Sequence, residues 1–103
     1  MSDRYGENAS ENRFALDQDL QFKAEVRRNK LIGLWAAELL GKEDAAAYAK
    51  DVVAADFEEA GDKDVVRKLR ADFDAAGLAV TTETIEAKLY EFMGLAVEQI
   101  QQD

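Results

Sequence analysis

Three glycines, spaced along a chain that contains no proline, constrain the fold most strongly. Gly41, Gly61 and Gly77 each follow a segment in which apolar residues recur at helical spacing. Glycine at such a position commonly ends a helix by adopting a left-handed conformation. Because proline is absent, nothing breaks the segments between these glycines. The pattern predicts an all-α fold, a single domain in which four helices form a bundle-like arrangement.

The apolar pattern also gives approximate helix bounds. We expect the first helix to be long and central, because residues 31–40 are apolar on almost every side. Gly33 and Gly94 fall inside helices, where close approach of a neighbouring helix would explain them. Trp35 is expected in the core. The four predicted helices are Glu11–Leu40, Glu43–Glu59, Asp62–Ala76 and a last one from Thr81 or Thr82 to near the C-terminus.

Residues 1–12 differ in composition from residues 13–103. The first twelve residues are rich in Asn, Ser and acidic side chains and carry few apolar ones. Such a segment has little to bury against a core. We therefore expect a flexible N-terminal segment, residues 1–12, followed by a helical domain, residues 13–103.

The composition argues against several classes of function. The chain has no cysteine, no histidine and a net charge of −9. This charge disfavours binding to nucleic acid and to anionic lipid. The only serines, Ser2 and Ser10, lie in the N-terminal segment, and no nucleophile has a base partner. We expect a cytoplasmic monomer that is not an enzyme, needs no cofactor and does not insert into a membrane.

The acidic stretch at residues 56–64 invites comparison with a calcium-binding loop. Such a loop needs a bidentate glutamate at its twelfth position, where this chain has Arg67. We therefore expect no metal site. Asp62 is instead predicted to cap the third helix, and Asp64 to lie in its first turn, where negative charge is favourable.

Asp56 falls on the apolar face of the second helix, close to its C-terminus. A buried carboxylate there needs hydrogen-bond donors. We expect an arginine of the first helix, or backbone amides at the start of the third, to supply them. A structural role for Asp56 is favoured, and a role in a binding site stays open.

A basic strip is predicted on the first helix. Lys23, Arg27 and Lys30 recur at i, i+4 and i+7, and Arg28 lies beside them. Three interpretations remain open: a solvated or internally paired face, a contact with an acidic partner, and a contact with the phosphates of a nucleotide. No glycine-rich phosphate loop supports the nucleotide interpretation.

Two segments carry a resemblance to a known family. They are residues 23–37, KAEVRRNKLIGLWAA, and residues 56–69, DFEEAGDKDVVRKL. Together they look like the bacterial zeta-subunit family of ATPase inhibitors, and the resemblance extends over nearly the whole chain from Phe14 onward. It implies a four-helix protein that attaches to the catalytic sector of the F-type ATP synthase, at the cytoplasmic face of the inner membrane.

In inhibitory members of that family, a mobile N-terminal segment enters a catalytic interface, becomes helical and blocks rotation in the hydrolysis direction. The resemblance therefore implies partner contacts in and just after the N-terminal segment, at Asp3, Arg4, Tyr5, Glu7, Arg13 and Phe14.

Two departures from the family pattern favour attachment over strong inhibition. The family commonly has Phe-Ala-His-Asp where this chain has Phe14, Ala15, Leu16 and Asp17. The segment before Phe14 is also poorer in helix formers than is usual in inhibitory members. A helical adaptor of another complex and a weak nucleotide-binding module remain the alternatives.

Overall fold

The computed structural model describes residues 18–56 and 62–102, and the side chain of Gln102 is outside this description. The described residues form four helices and no strand, so the predicted all-α fold is confirmed. The expected N-terminal segment, the residues of the first helix before Gln18, Gly61 and the predicted end of the second helix at Glu59 lie outside the described residues. The helices are α1 (Gln18–Leu40), α2 (Ala45–Ala55), α3 (Lys63–Ala75) and α4 (Thr82–Gln102).

Glycine ends α1 and α3 in the same way. Gly41 and Gly77 have φ angles of 70° and 74°. After α1, the Lys42 amide donates to the Ala37 carbonyl at 2.9 Å; after α3, the Leu78 amide donates to the Phe73 carbonyl at 2.9 Å. This is the Schellman pattern, in which a left-handed residue lets the next amide reach back to the last turn. The two predicted stops are confirmed.

Side-chain caps define two helix starts. The Asp44 carboxylate accepts a hydrogen bond from the Ala47 amide at 3.1 Å, so α2 begins at Ala45 rather than at Glu43. The Thr81 hydroxyl accepts from the Thr84 amide at 3.1 Å, and α4 begins at Thr82 as predicted. Each cap satisfies an amide that has no partner within its own helix.

The expected cap of α3 is wrong. Asp62 stands at the N-cap position, but its side chain makes no capping hydrogen bond. Its carboxylate lies 3.0 Å from the Arg28 guanidinium instead. A tertiary ion pair has therefore replaced the local interaction that the sequence predicts, and α3 starts at Lys63.

The core lies where α1 meets the other helices. α1 packs most extensively against α2 and α4, which confirms its central position. Ten buried side chains form one cluster that all four helices supply: Ile32, Ala36, Ala37, Tyr48, Val52, Val65, Leu69, Phe73, Ile85 and Leu89. Burying each large apolar member contributes roughly 1.5–3 kcal/mol.

The two glycines inside helices, Gly33 and Gly94, have different surroundings. A Cβ atom on Gly33 would lie 2.7 Å from the Cα atom of Ala49, so this glycine lets α1 and α2 approach closely, as expected. A Cβ atom on Gly94 would have no described atom within 4 Å outside its own helix backbone and chain neighbours. Among the described residues, therefore, the structure shows no close helix approach at Gly94.

Candidate partner-binding surface

The predicted basic strip lies on the outer side of α1. Lys23 and Lys30 are exposed, and neither makes an ion pair with a residue in the described ranges. Arg27 lies between them, is partly buried, and donates from Nη1 to Oε1 of Gln99 in α4 at 3.4 Å. Two exposed lysines therefore flank Arg27, which contacts the end of α4 through Gln99.

The strip borders a groove between the first half of α1 and the end of α4. The groove has a volume of about 390 Å³. Its apolar lining comes from Leu20, Phe22 and Val26 of α1 and Ile100 of α4, and its cations are the three of the strip. Leu20 and Phe22 expose 44% and 51% of their surface. Apolar surface bordered by cations suits a protein partner that presents carboxylates around an apolar patch.

Arg28 does not belong to this surface. Successive residues of a helix point about 100° apart, and Arg28 turns toward the interior with only 4% exposed. Its guanidinium donates to Oδ1 of Asn29, from Nε at 3.0 Å and from Nη2 at 2.8 Å. The same Nη2 lies 3.0 Å from Asp62 and 3.9 Å from Asp56. Arg27, Arg28 and Lys30 therefore do not converge on one phosphate site.

Asp56 and Asn29 form the other half of this cluster, in which Arg28 and Asn29 are buried, Asp56 is partly buried and Asp62 is exposed. Nδ2 of Asn29 donates to Oδ2 of Asp56 at 2.9 Å. Burial raises the pKa of Asp56, while the Asn29 hydrogen bond and the Arg28 charge oppose that rise. The expected arginine of the first helix is present as Arg28, but it is the more distant donor. The sequence analysis missed Asn29, although it lies one turn before Gly33, another buried position of α1.

The cluster joins the first three helices. Arg28 and Asn29 belong to α1, Asp56 follows the last residue of α2, and Asp62 precedes α3. Asp64, also buried, accepts from Arg67 at 2.8 Å within α3. A buried charge is tolerated when it is paired and hydrogen-bonded. The cluster ties the end of α2 and the start of α3 to α1, although Oδ1 of Asp56 and Oδ2 of Asp64 accept no hydrogen bond from the described residues.

A second polar contact, also missed by the sequence analysis, ties α2 to α3. The Tyr48 hydroxyl donates to Oδ2 of Asp72 at 2.6 Å, and Nζ of Lys68 lies 3.1 Å from the same oxygen. Burial raises the pKa of Tyr48 above its ordinary value, and the Asp72 contact adds to the rise. Burial alone would raise the pKa of Asp72, but the donors Tyr48 and Lys68 lower it on balance.

Trp35, which was expected in the core, is partly buried and packs against the buried cluster from its edge. Its ring meets the ring of Phe73 edge to face, with centroids 5.8 Å apart. Nζ of Lys88 lies 5.7 Å from the Trp35 centroid, on the side of α4. Trp35 therefore has a structural role, through packing against Phe73 and a cation–π interaction with Lys88.

The six residues that the resemblance assigns to the inhibitory segment lie outside the described residues. They are Asp3, Arg4, Tyr5, Glu7, Arg13 and Phe14. Residues 18–56 and 62–102 contain no serine, cysteine or histidine. Within the same ranges, no three acidic side chains are placed to hold a metal ion. No helix in the described part of the chain is long and apolar enough to cross a membrane.

The fold and its surfaces define a small all-helical domain with a charged, partly apolar groove and a buried ion-pair cluster that fixes its helices. The chain belongs to the ATPase inhibitor subunit zeta family, which matches residues 1–99. The resemblance seen in the sequence is thereby confirmed. The family name describes a subunit that inhibits an ATPase, which is a regulatory role. No curated protein sequence matches the chain.

Proposed function

We propose that this protein is a regulatory subunit that attaches to the catalytic sector of the F-type ATP synthase and inhibits ATP hydrolysis through its N-terminal segment. The observation that carries the proposal is the family match over residues 1–99. That match covers the first twelve residues and the helical domain up to residue 99, and it supports a regulatory role.

The two parts have separate tasks. The helical domain attaches, and the N-terminal segment, residues 1–12, enters a catalytic interface. Ordering a backbone residue there costs about 1–2 kcal/mol. Gly6, Asn8 and Ser10 raise this cost because they are weak helix formers. The proposed inhibition is therefore weaker than that of a relative whose segment is rich in Ala, Glu and Lys.

The basic strip and its groove are the proposed attachment surface. Lys23 and Lys30 extend into solvent from a chain of net charge −9, so they offer a local positive surface to an acidic partner. Leu20 and Phe22 beside them add apolar area that would be removed from water on binding. The protein binds as a monomer and is held at the cytoplasmic face of the inner membrane by the synthase.

A binding measurement with charge-reversed variants tests the attachment surface. The purified synthase catalytic sector is immobilised and titrated with the wild type and with the double variant Lys23→Glu/Lys30→Glu. The matched control is Lys42→Glu/Lys50→Glu, which changes the net charge equally at exposed positions away from the groove. We expect the strip variant to bind at least about tenfold more weakly, which corresponds to about 1.4 kcal/mol.

Repeating the titration at several salt concentrations tests the same attachment surface in a second way. Charges that meet across an exposed interface are screened within about 8 Å at physiological ionic strength. Wild-type binding should therefore weaken as salt rises, and binding by the strip variant should depend less on salt. A folded strip variant that binds as tightly as the control would remove the strip from the proposal. Failure of the wild type to bind would overturn the proposed function itself.

A further inference from the structure

The outward side of α4 carries an apolar seam that nothing in the described chain covers. Its members are spaced alternately by three and four residues: Ala87, Tyr90, Gly94 and Val97. This is the heptad spacing by which one helix packs against another. The opposite side of α4 supplies Ile85, Leu89 and Ala96 to the core. α4 thus has one seam for its own bundle and a second that faces solvent.

Two side chains of the seam, Tyr90 and Val97, are large and hydrophobic but exposed. Tyr90 exposes 86% of its surface, and Val97 exposes 37%. Gly94 lies between them, and the position of its missing Cβ atom has no described atom within 4 Å beyond its own helix and chain neighbours. Glycine inside a helix costs about 1 kcal/mol relative to alanine. Packing among the described residues does not explain that cost, whereas a second helix lying across Gly94 would.

The charges beside the seam are acidic. Glu83, Glu86 and Glu98 are exposed on this side of α4, and no ion pair forms between them and other described residues. Lys88 points away, toward Glu91 and Trp35. Three cations lie in a groove of about 700 Å³ that Tyr90 and Glu86 also line. They are Lys63 and Arg67 of α3 and Arg28 of α1, and Arg28 and Arg67 are already paired with Asp62 and Asp64.

We propose that the outer seam of α4 is a docking surface for a basic amphipathic helix, which seats small apolar side chains over Gly94 and places cations beside Glu86 and Glu98. The charges favour this occupant over a second copy of the chain, because two seams brought together would oppose carboxylate to carboxylate. Tyr90 is the expected aromatic anchor of the contact. The surface is separate from the basic strip, and the proposal does not depend on the ATP synthase.

A synthetic helix tests this docking surface on the isolated full-length protein. The probe is a three-heptad peptide with Ala and Leu at its apolar positions and Lys at the flanking positions. The comparison peptide carries Glu in place of Lys. Calorimetry gives the affinity, and amide chemical shifts give the location. We expect the lysine peptide alone to bind, with the largest shifts in residues 87–101.

Variants separate a seated helix from general attraction to an acidic protein. Gly94→Leu places a side chain in the notch, and its Cβ atom has no described atom within 4 Å beyond its own helix and chain neighbours. The fold should therefore persist while the peptide binds about tenfold more weakly. Glu86→Gln/Glu98→Gln should also weaken binding. The control Glu38→Gln/Glu43→Gln removes the same charge from exposed positions elsewhere and should change the affinity less than about twofold.

Three results would overturn the proposal. The lysine peptide could fail to bind, or its shifts could map away from α4. A folded Gly94→Leu variant could bind as tightly as the wild type. Sedimentation of the protein alone could show a dimer that Gly94→Leu abolishes, in which case the occupant of the seam would be a second copy.

Discussion

Replacing Gly33 with alanine should destabilise the protein, although alanine is the better helix former. Gly33 lies in the interior of α1, opposite α2. The added Cβ atom would stand 2.7 Å from the Cα atom of Ala49, 3.1 Å from its Cβ atom and 3.3 Å from the Cβ atom of Val52. None of these atoms is the free end of a flexible side chain. Relief of the contact therefore requires the two helix backbones to move apart.

The magnitude follows from two opposing contributions. Replacing a helical glycine with alanine gains about 1 kcal/mol in helix propensity. Overpacking a tight contact costs about 1–3 kcal/mol, and a contact with backbone belongs near the upper end of that range. We expect Gly33→Ala to lower the free energy of unfolding by about 1–2 kcal/mol.

Gly94→Ala is the matched control. It makes the same chemical change in the interior of a helix, but the new Cβ atom meets no described atom within 4 Å beyond its own helix and chain neighbours. Only the propensity gain remains, so the free energy of unfolding should rise by about 0.5–1 kcal/mol. The two substitutions are therefore expected to have opposite signs.

Urea unfolding followed by far-UV circular dichroism measures both variants against the wild type. With a slope of about 1–3 kcal/mol per molar urea, shifts of this size move the midpoint measurably. The reasoning fails if Gly33→Ala unfolds at the wild-type midpoint or above it. It also fails if Gly94→Ala unfolds at a lower urea concentration than the wild type.

Two further predictions concern the buried polar contacts. Asp56→Ala should lower the free energy of unfolding by at least about 1 kcal/mol more than Asp51→Ala does, because it leaves Nδ2 of Asn29 without its acceptor. Asp51 is exposed and serves as the control. Equal urea midpoints for the two variants would contradict this prediction. Asp72 has a lowered pKa in the folded state, so its contribution to stability is present above its ordinary pKa of about 3.9 and is lost as the pH falls through the folded value. The stability advantage of the wild type over Asp72→Asn, measured by urea unfolding at a series of pH values, should therefore shrink on acidification, and an advantage that grows would refute the assignment.

Local signals in the sequence predicted much of the fold. Gly41 and Gly77 end helices because their left-handed conformation requires no distant partner. Thr81 starts α4 through a hydrogen bond to a residue three positions away. The order and type of the helices depend on such short-range interactions and on the apolar period, and both can be seen in the sequence. Leu69, Phe73 and Ile85 follow this apolar period along α3 and α4, and all three lie in the core.

The buried cluster was harder to predict because its members are far apart in sequence. Asp62 has the residue type and position of a helix cap, and only the approach of Arg28 shows why it does not act as one. One signal was nevertheless available. Arg28 stands at i+4 from Ala24 and i−4 from Ile32, both of which are buried. That spacing separates Arg28 from Arg27 and places it on the inner side of α1.

The outer seam of α4 shows a second feature that the sequence alone could not predict. Sequence reasoning treats a glycine within a helix as a sign of close packing and expects the contact within the fold. The structure shows such a contact for Gly33 and none for Gly94 among the described residues. The sequence pattern of the two glycines is alike, because each lies in a helix beside apolar residues. Only the position of the neighbouring helix distinguishes a contact inside the chain from one available to a partner.

The most direct test of the proposed function is ATP hydrolysis by the purified F-type synthase, measured with added full-length protein and with a variant that lacks residues 1–12. Residues 1–12 carry few apolar side chains that a core could bury, so the helical domain should stay folded and should still bind without them. We predict that the full-length protein lowers the hydrolysis rate and that the deletion variant binds without lowering it. Inhibition that survives the deletion would place the blocking element in the helical domain and contradict the proposed mechanism.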